Sequence, residues 1–138
     1  MKFDMQIAID CHDPHALNQF WALITGYDIE HHDTQVRNLL EQGLITNDDT
    51  VEFNGELWFK DAAACREVNG GTRLLFQQVP EAKTVKNRVH LDLHLGDEKD
   101  AAIRRALDAG ATKLWDGQQG PQTWVTLADP EGNEFCIS

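Results

Sequence analysis

The chain has 138 residues and a formal net charge of −11, with 23 acidic against 12 basic side chains. That length suits one domain with a substantial core. The charge argues against nucleic acid and against an anionic membrane, both of which are bound through clustered Lys and Arg.

The elements read in chain order as follows. From Gln6 to Cys11 the residues alternate, with Ile7, Ile9 and Cys11 opposing Gln6, Ala8 and Asp10. This period of two predicts a strand with one apolar face. Asp13 is the expected helix N-cap, and Pro14 takes the first helical position, where its missing N–H costs nothing. Leu17, Phe20, Trp21 and Ile24 recur at helical spacing. Gly26 supplies the left-handed stop. Tyr27 to His32 reads as a strand, and Val36 to Gln42 as a short helix closed by Gly43, followed by a polar loop. Leu57 to Asp61 and Thr72 to Val79 read as two more strands, and PEAKTVKNR as a linker.

The second half repeats this order. Setting Gln6 over His90 aligns Asp13 with Asp97, Ala22 with Ala106, Leu23 with Leu107 and Gly26 with Gly110. Leu91, Leu93 and Leu95 alternate with His90, Asp92 and His94. Asp97 is the expected N-cap of the second helix and Gly110 its stop. Thr112 to Trp115, Gln122 to Ala128 and Glu134 to Ile137 read as strands. Pro130 and Gly132 of DPEGN suit the second and fourth positions of a type I turn. The expected fold class is therefore α+β, with two βαβββ modules. They span about residues 5–80 and 89–138, and residues 81–88 join them.

No apolar run approaches the roughly 20 residues of a membrane span. The Met1 end lacks the apolar stretch of a secretory leader. Cys11, Cys65 and Cys136 are odd in number and widely spaced, which suits a reducing cytoplasm better than a disulfide framework. P-loop, dinucleotide and nucleophile-elbow motifs are all absent.

The paired βαβββ order and the DPEGNEF hairpin resemble the vicinal oxygen chelate superfamily, the glyoxalase and bleomycin-resistance fold. The stretch LLFQQVPEAKTVKNRVHLDLHL resembles the glyoxalase-like proteins of actinobacteria in particular. The resemblance covers nearly the whole chain as a single glyoxalase-like domain. It implies that the two sheets form a cup with the helices outside. The faces carrying Gln6, Ala8 and Asp10, and His90, Asp92 and His94, then turn toward a small-molecule ligand. It also implies four metal-ligand positions, on the first and last strand of each module. Carried over residue by residue, these fall on Gln6, Gln77, His90 and Cys136. Only His90 keeps the family's usual ligand type, so a divalent metal has a degenerate set here, with His90 and Cys136 its strongest members.

Three residues on one strand face, His90, Asp92 and His94, are the candidate catalytic groups, since a carboxylate and imidazoles about 7 Å apart can reach one substrate. The candidate substrate-binding residues are Gln6, Asp10, Trp58, Gln77, Trp124 and Glu134. Trp58 and Trp124 are matched between the modules, either as cup walls or as core. Cys136 is open to three readings: ligand, nucleophile or packing. His31, His32, His12 and His15 read as surface residues, and Lys83, Lys86 and Arg88 as solvated linker charges. Two function classes stay open. One is a lyase, isomerase or dioxygenase-type enzyme acting on a small oxygenated compound. The other is a non-catalytic binding or sequestration protein of the bleomycin-resistance type. A homodimer is expected from the family resemblance.

Overall fold

The computed structural model describes residues 1–138. In the first module, β1 (Gln6–Cys11) leads into α1 (Pro14–Thr25) and the short β2 (Asp28–Ile29). An insertion follows, made of α2 (Asp33–Glu41) and the hairpin β3 (Thr50–Phe53) and β4 (Glu56–Phe59). Then β5 (Ala62–Arg66) and β6 (Arg73–Gln78) complete a sheet of order β1-β6-β5-β2. The second module runs β7 (Leu91–Leu93), α3 (Lys99–Asp108), β8 (Thr112–Gln119), β9 (Gln122–Ala128) and β10 (Glu134–Ile137). Its order is β7-β10-β9-β8. The two sheets share one topology, with first and last strands parallel in each.

Local chemistry explains most of these elements. Asp13 caps α1 by accepting the Ala16 N–H at 3.1 Å, and Gly26 closes the helix at φ 74. The cap expected at Asp97 does not form. Asp97 lies in a 3-10 turn, Gly96–Glu98, and α3 starts after it with no side-chain cap. The two starts differ in that Pro14 holds the first turn of α1 in helical φ, whereas Gly96 enters at φ 53, outside helical dihedrals, and a 3-10 turn precedes α3.

Three strand expectations also change. The strand from Tyr27 shrinks to two residues because α2 begins at Asp33. Leu57 to Asp61 overlaps β4, an arm of the inserted hairpin rather than a strand of the main sheet. The main-sheet strand is β5, AAACR, whose central Ala63, Ala64 and Cys65 are all buried. Buried on both faces, it shows no alternation. Thr112 to Trp115 extends to Gln119, with a bulge between Lys113 and Trp115.

The helix-facing sides of both sheets join one core, which includes Leu17, Phe20, Trp21, Phe76, Phe135 and Ile137. Phe135 of β10 meets Trp21 and Phe20 of α1 edge-on, at centroid distances of 5.0 and 6.0 Å. Such pairs add about 0.5–1.5 kcal/mol beyond area burial. The DPEGN turn locks the modules together. Asp129, 3% exposed, accepts the Trp21 indole N–H at 3.0 Å and three donors from Glu131 and Asn133 within its own turn. Glu131 accepts the backbone N–H groups of His12 and Asp13. Burial raises the Asp129 carboxyl above its ordinary range in spite of these bonds.

Candidate functional site

The second sheet carries a concavity of about 530 Å³ on the face turned away from its helix. Register decides what lies there. Asp92 pairs with Cys136, Cys136 with Thr126, and Thr126 with Trp115. These four side chains therefore form one row across the sheet. His90 and His94 flank β7 on the same face, two residues either side of Asp92.

At one end of the row, His90, Asp92 and Cys136 converge. Their ligand atoms, one nitrogen, one oxygen and one sulfur, all lie within 4.8 Å of one another. His90 Nδ1 is 3.1 Å from Asp92 Oδ1. The Thr126 hydroxyl sits 3.4 Å from the Cys136 sulfur. Burial first, and then the Asp92 carboxylate, push the Cys136 thiol above its ordinary value. Imidazole, carboxylate and thiolate are all zinc-type ligands, and three protein ligands with an open side fit a catalytic rather than a structural centre. By donor type and number, these residues fit the divalent metal that the fold implies. Deprotonation of the thiol would accompany metal binding.

His94 stands apart from this cluster. Its Nδ1 is 2.7 Å from the Ser138 hydroxyl, which leaves Nε2 as the ring nitrogen open to a ligand. Trp115 and Trp124 form the opposite wall of the concavity, and Lys86 reaches it from the linker. Glu134 also borders it but is already engaged. It accepts Lys83 Nζ at 3.2 Å and the Asn87 N–H at 3.0 Å, and so ties the linker down. Burial acts to raise the Glu134 carboxyl, yet these bonds prevail and hold it below its ordinary value.

Several expected site residues lie elsewhere. Asp10 borders a separate groove between β1 and the linker, which also touches His90 and Glu134. Gln6 accepts a hydrogen bond from the Arg73 guanidinium on the first sheet. Gln77 pairs with Asp10, so it corresponds to Ser138; the counterpart of Cys136 is Leu75, which pairs with Ala8. The match of Trp58 with Trp124 fails because Trp58 belongs to the insertion. It is 6% exposed and stacks on Phe53 at 4.7 Å, with His15 and His31 against its ring. His15 is thus partly buried rather than a surface residue, and its Nε2 lies 2.7 Å from the Phe59 carbonyl oxygen.

Sequence reasoning overlooked Trp115, Thr126 and Ser138 in the concavity, and it read Lys86, which also lines it, as a solvated linker charge. Thr126 was accessible, since it follows Trp124 by two residues on one strand. Trp115 was not, because the bulge after Lys113 re-aims it.

The glyoxalase-like domain family has a sequence model that matches residues 6–138. Solved structures agree in fold. The fosfomycin resistance protein FosX from Listeria monocytogenes superposes at a TM-score of 0.65 with 8% identity, covering 99% of this chain and 92% of that one. A glyoxalase/bleomycin resistance protein/dioxygenase family enzyme from Burkholderia phytofirmans PsJN gives 0.62 at 15% identity, over 96% and 94%. The bleomycin-binding protein from Streptomyces verticillus, solved with copper(II)-bleomycin, gives 0.57 at 15%, over 100% and 96%. No curated protein matches the chain in sequence.

Proposed function

The chain belongs to the glyoxalase-like domain family, and on that footing we propose that it is a metal-assisted enzyme of the lyase or isomerase type. Its substrate would be a small oxygenated compound held in the concavity of the second module. The observation that carries this reading is the convergence of His90, Asp92 and Cys136 within 4.8 Å on an open sheet face.

Each residue has a role in this reading. His90, Asp92 and Cys136 would hold the cation, and Thr126 orients the thiol by its hydroxyl. A divalent cation bound there supplies Lewis-acid polarisation of a substrate oxygen. His94, steadied by Ser138, takes or returns a proton at Nε2. Trp115 and Trp124 keep water off one side of the ligand. The two tryptophans also favour a second reading, non-catalytic sequestration of a ring-bearing ligand, in which the polar groups only orient it.

The same reading takes the protein as cytoplasmic and homodimeric. No helix is long and apolar enough to cross a membrane, and all three cysteines are free. Edge strand β8 leaves its outer backbone edge unpaired and Leu114 exposed, an edge that a second copy would cover. Light scattering on the purified protein tests the dimer.

The deciding experiment is cobalt(II) titration of the metal-free protein. A one-to-one endpoint with a thiolate charge-transfer band, lost in Cys136→Ser and His90→Ala, is expected. Absence of any binding by cobalt, zinc or manganese would overturn the metal reading. Turnover lost in His94→Gln, with ligand affinity kept, separates enzyme from binder.

A further inference from the structure

The tryptophan wall has a built-in orientation. Trp124 of β9 and Gly117 of β8 are direct cross-strand partners, so they share the concave face. A Cβ placed on Gly117 would fall onto Cε2, Nε1 and Cζ2 of the Trp124 indole. These are bonded neighbours across the fusion of the two rings, so the indole lies over the backbone at Gly117. Gly117 is not one of the glycines with left-handed φ, so its backbone conformation does not require glycine. What its missing side chain permits is the position of the indole.

We infer that Gly117 sets the ligand class of the cup: it lets the Trp124 indole lie down on β8 as a platform for a planar ring bearing an oxygen substituent. This rests on the reading of the second-module concavity as the ligand site. The indole leans toward β8, away from the row where Cys136 and Asp92 sit, so the space above β9 and β10 stays open. Trp115, two residues from Gly117 and paired with Thr126, stands beside the platform on the same face. A ring stacked there can extend its oxygen along the row toward His90, Asp92 and Cys136. Strands are spaced about 4.8 Å apart, so crossing from β9 to β7 spans roughly 10 Å, the length of a one- or two-ring compound. Any side chain at position 117 would lift the indole into this space. A purely structural role is the competing account, since an aromatic ring laid across an edge-strand glycine also shields the sheet.

The test compares 2-naphthol with decahydro-2-naphthol, which carries the same hydroxyl on puckered saturated rings. Affinities are measured by calorimetry on the full-length protein before and after chelator treatment. Wild type is expected to prefer 2-naphthol by about tenfold, in line with the strength of ring stacking on an aromatic side chain. Gly117→Ala and Trp124→Leu are each expected to bring that ratio close to one. Upfield shifts of the naphthol ring protons in wild type, absent in Trp124→Leu, report stacking directly. Should Gly117→Ala fail to fold, Trp124→Leu and these shifts decide the matter, because that variant adds nothing to β8. A ratio near one in wild type, or a ratio that survives both variants while stability falls, overturns the inference and leaves only sheet shielding. Metal binding without planar preference sinks this inference alone. Planar preference without metal binding sinks the metal-assisted reading and leaves this one standing.

Discussion

The two modules build the same four-stranded sheet, yet their helix-free faces carry opposite chemistry. On the first, Gln6 and Arg73 occupy the places that His90 and Glu134 hold on the second. Arg73 bonds Glu30 at 2.6 Å and also donates to Gln6, while Arg66 lies 3.6 Å from Glu30. Arg73, Gln6 and Glu30 thus satisfy one another. On the second face, His90, Asp92 and Cys136 gather without a Lys or Arg bonded to any of them. Repetition of a backbone therefore does not repeat a site. Chemistry is available where imidazole, carboxylate and thiol converge on an open face and no Lys or Arg occupies them.

The sharpest way to break this contrast is to remove ligands from each side. His90→Ala or Cys136→Ser should weaken cobalt or zinc binding by more than about 100-fold, exceeding the cost of outer-shell changes. Gln6→Ala should leave it unchanged. Competition titration with a chromophoric chelator measures both, and equal losses on the two faces would show that the site is shared between modules.

Next comes the ion network. Arg73→Met leaves Glu30 partly buried without its main partner and should cost about 1–3 kcal/mol in urea unfolding. Metal affinity should stay at the wild-type value. A stability cost near zero would mean that the first face is solvated rather than self-satisfied.

A smaller effect is expected at Thr126. Thr126→Val keeps shape but removes the hydroxyl on Cys136, and should lower metal affinity by about tenfold. An unchanged constant would remove Thr126 from the site.

The smallest effect is in pH. Burial by itself would raise the Glu30 carboxyl, but Arg73 prevails and holds it below its ordinary 4.5. The unfolded carboxyl titrates higher than the folded one. Glu30 thus contributes fully above the unfolded value, and that contribution disappears as pH falls through the folded value. Glu30→Gln should flatten this acid limb of stability, which sets in as pH falls below the ordinary carboxyl value, as followed by thermal melts at stepped pH. An identical slope in the variant would count against the network.

The repeat was legible because its signals are local. Alternation in QIAIDC and HLDLHL, the Asp13–Pro14 start and the Gly26 and Gly110 stops each act within a few residues. Strand β5 was invisible because small residues buried on both faces leave no period to read. The candidate site was half legible as a cluster of side chains. His90, Asp92 and His94 announce themselves on one strand, but Asp92 meets Cys136 only through the parallel register of β7 with β10. No local signal sets that register. Trp58 misled because a sequence match took no account of the inserted hairpin, whose own aromatic cluster buries it.

The DPEGN turn has a bearing on how the chain is made. Glu131 holds the backbone at His12 and Asp13, and Asp129 holds Trp21, across sequence separations of 119, 118 and 108 residues. During synthesis, β1 and α1 emerge long before the turn that fastens them exists. Until residues 129–133 have left the ribosome, the Trp21 indole lacks its native acceptor. Closing so long a loop raises the contact order and slows folding. A nascent chain arrested before residue 129 should therefore remain open to protease around α1, and the same region should become resistant once the last hairpin is free.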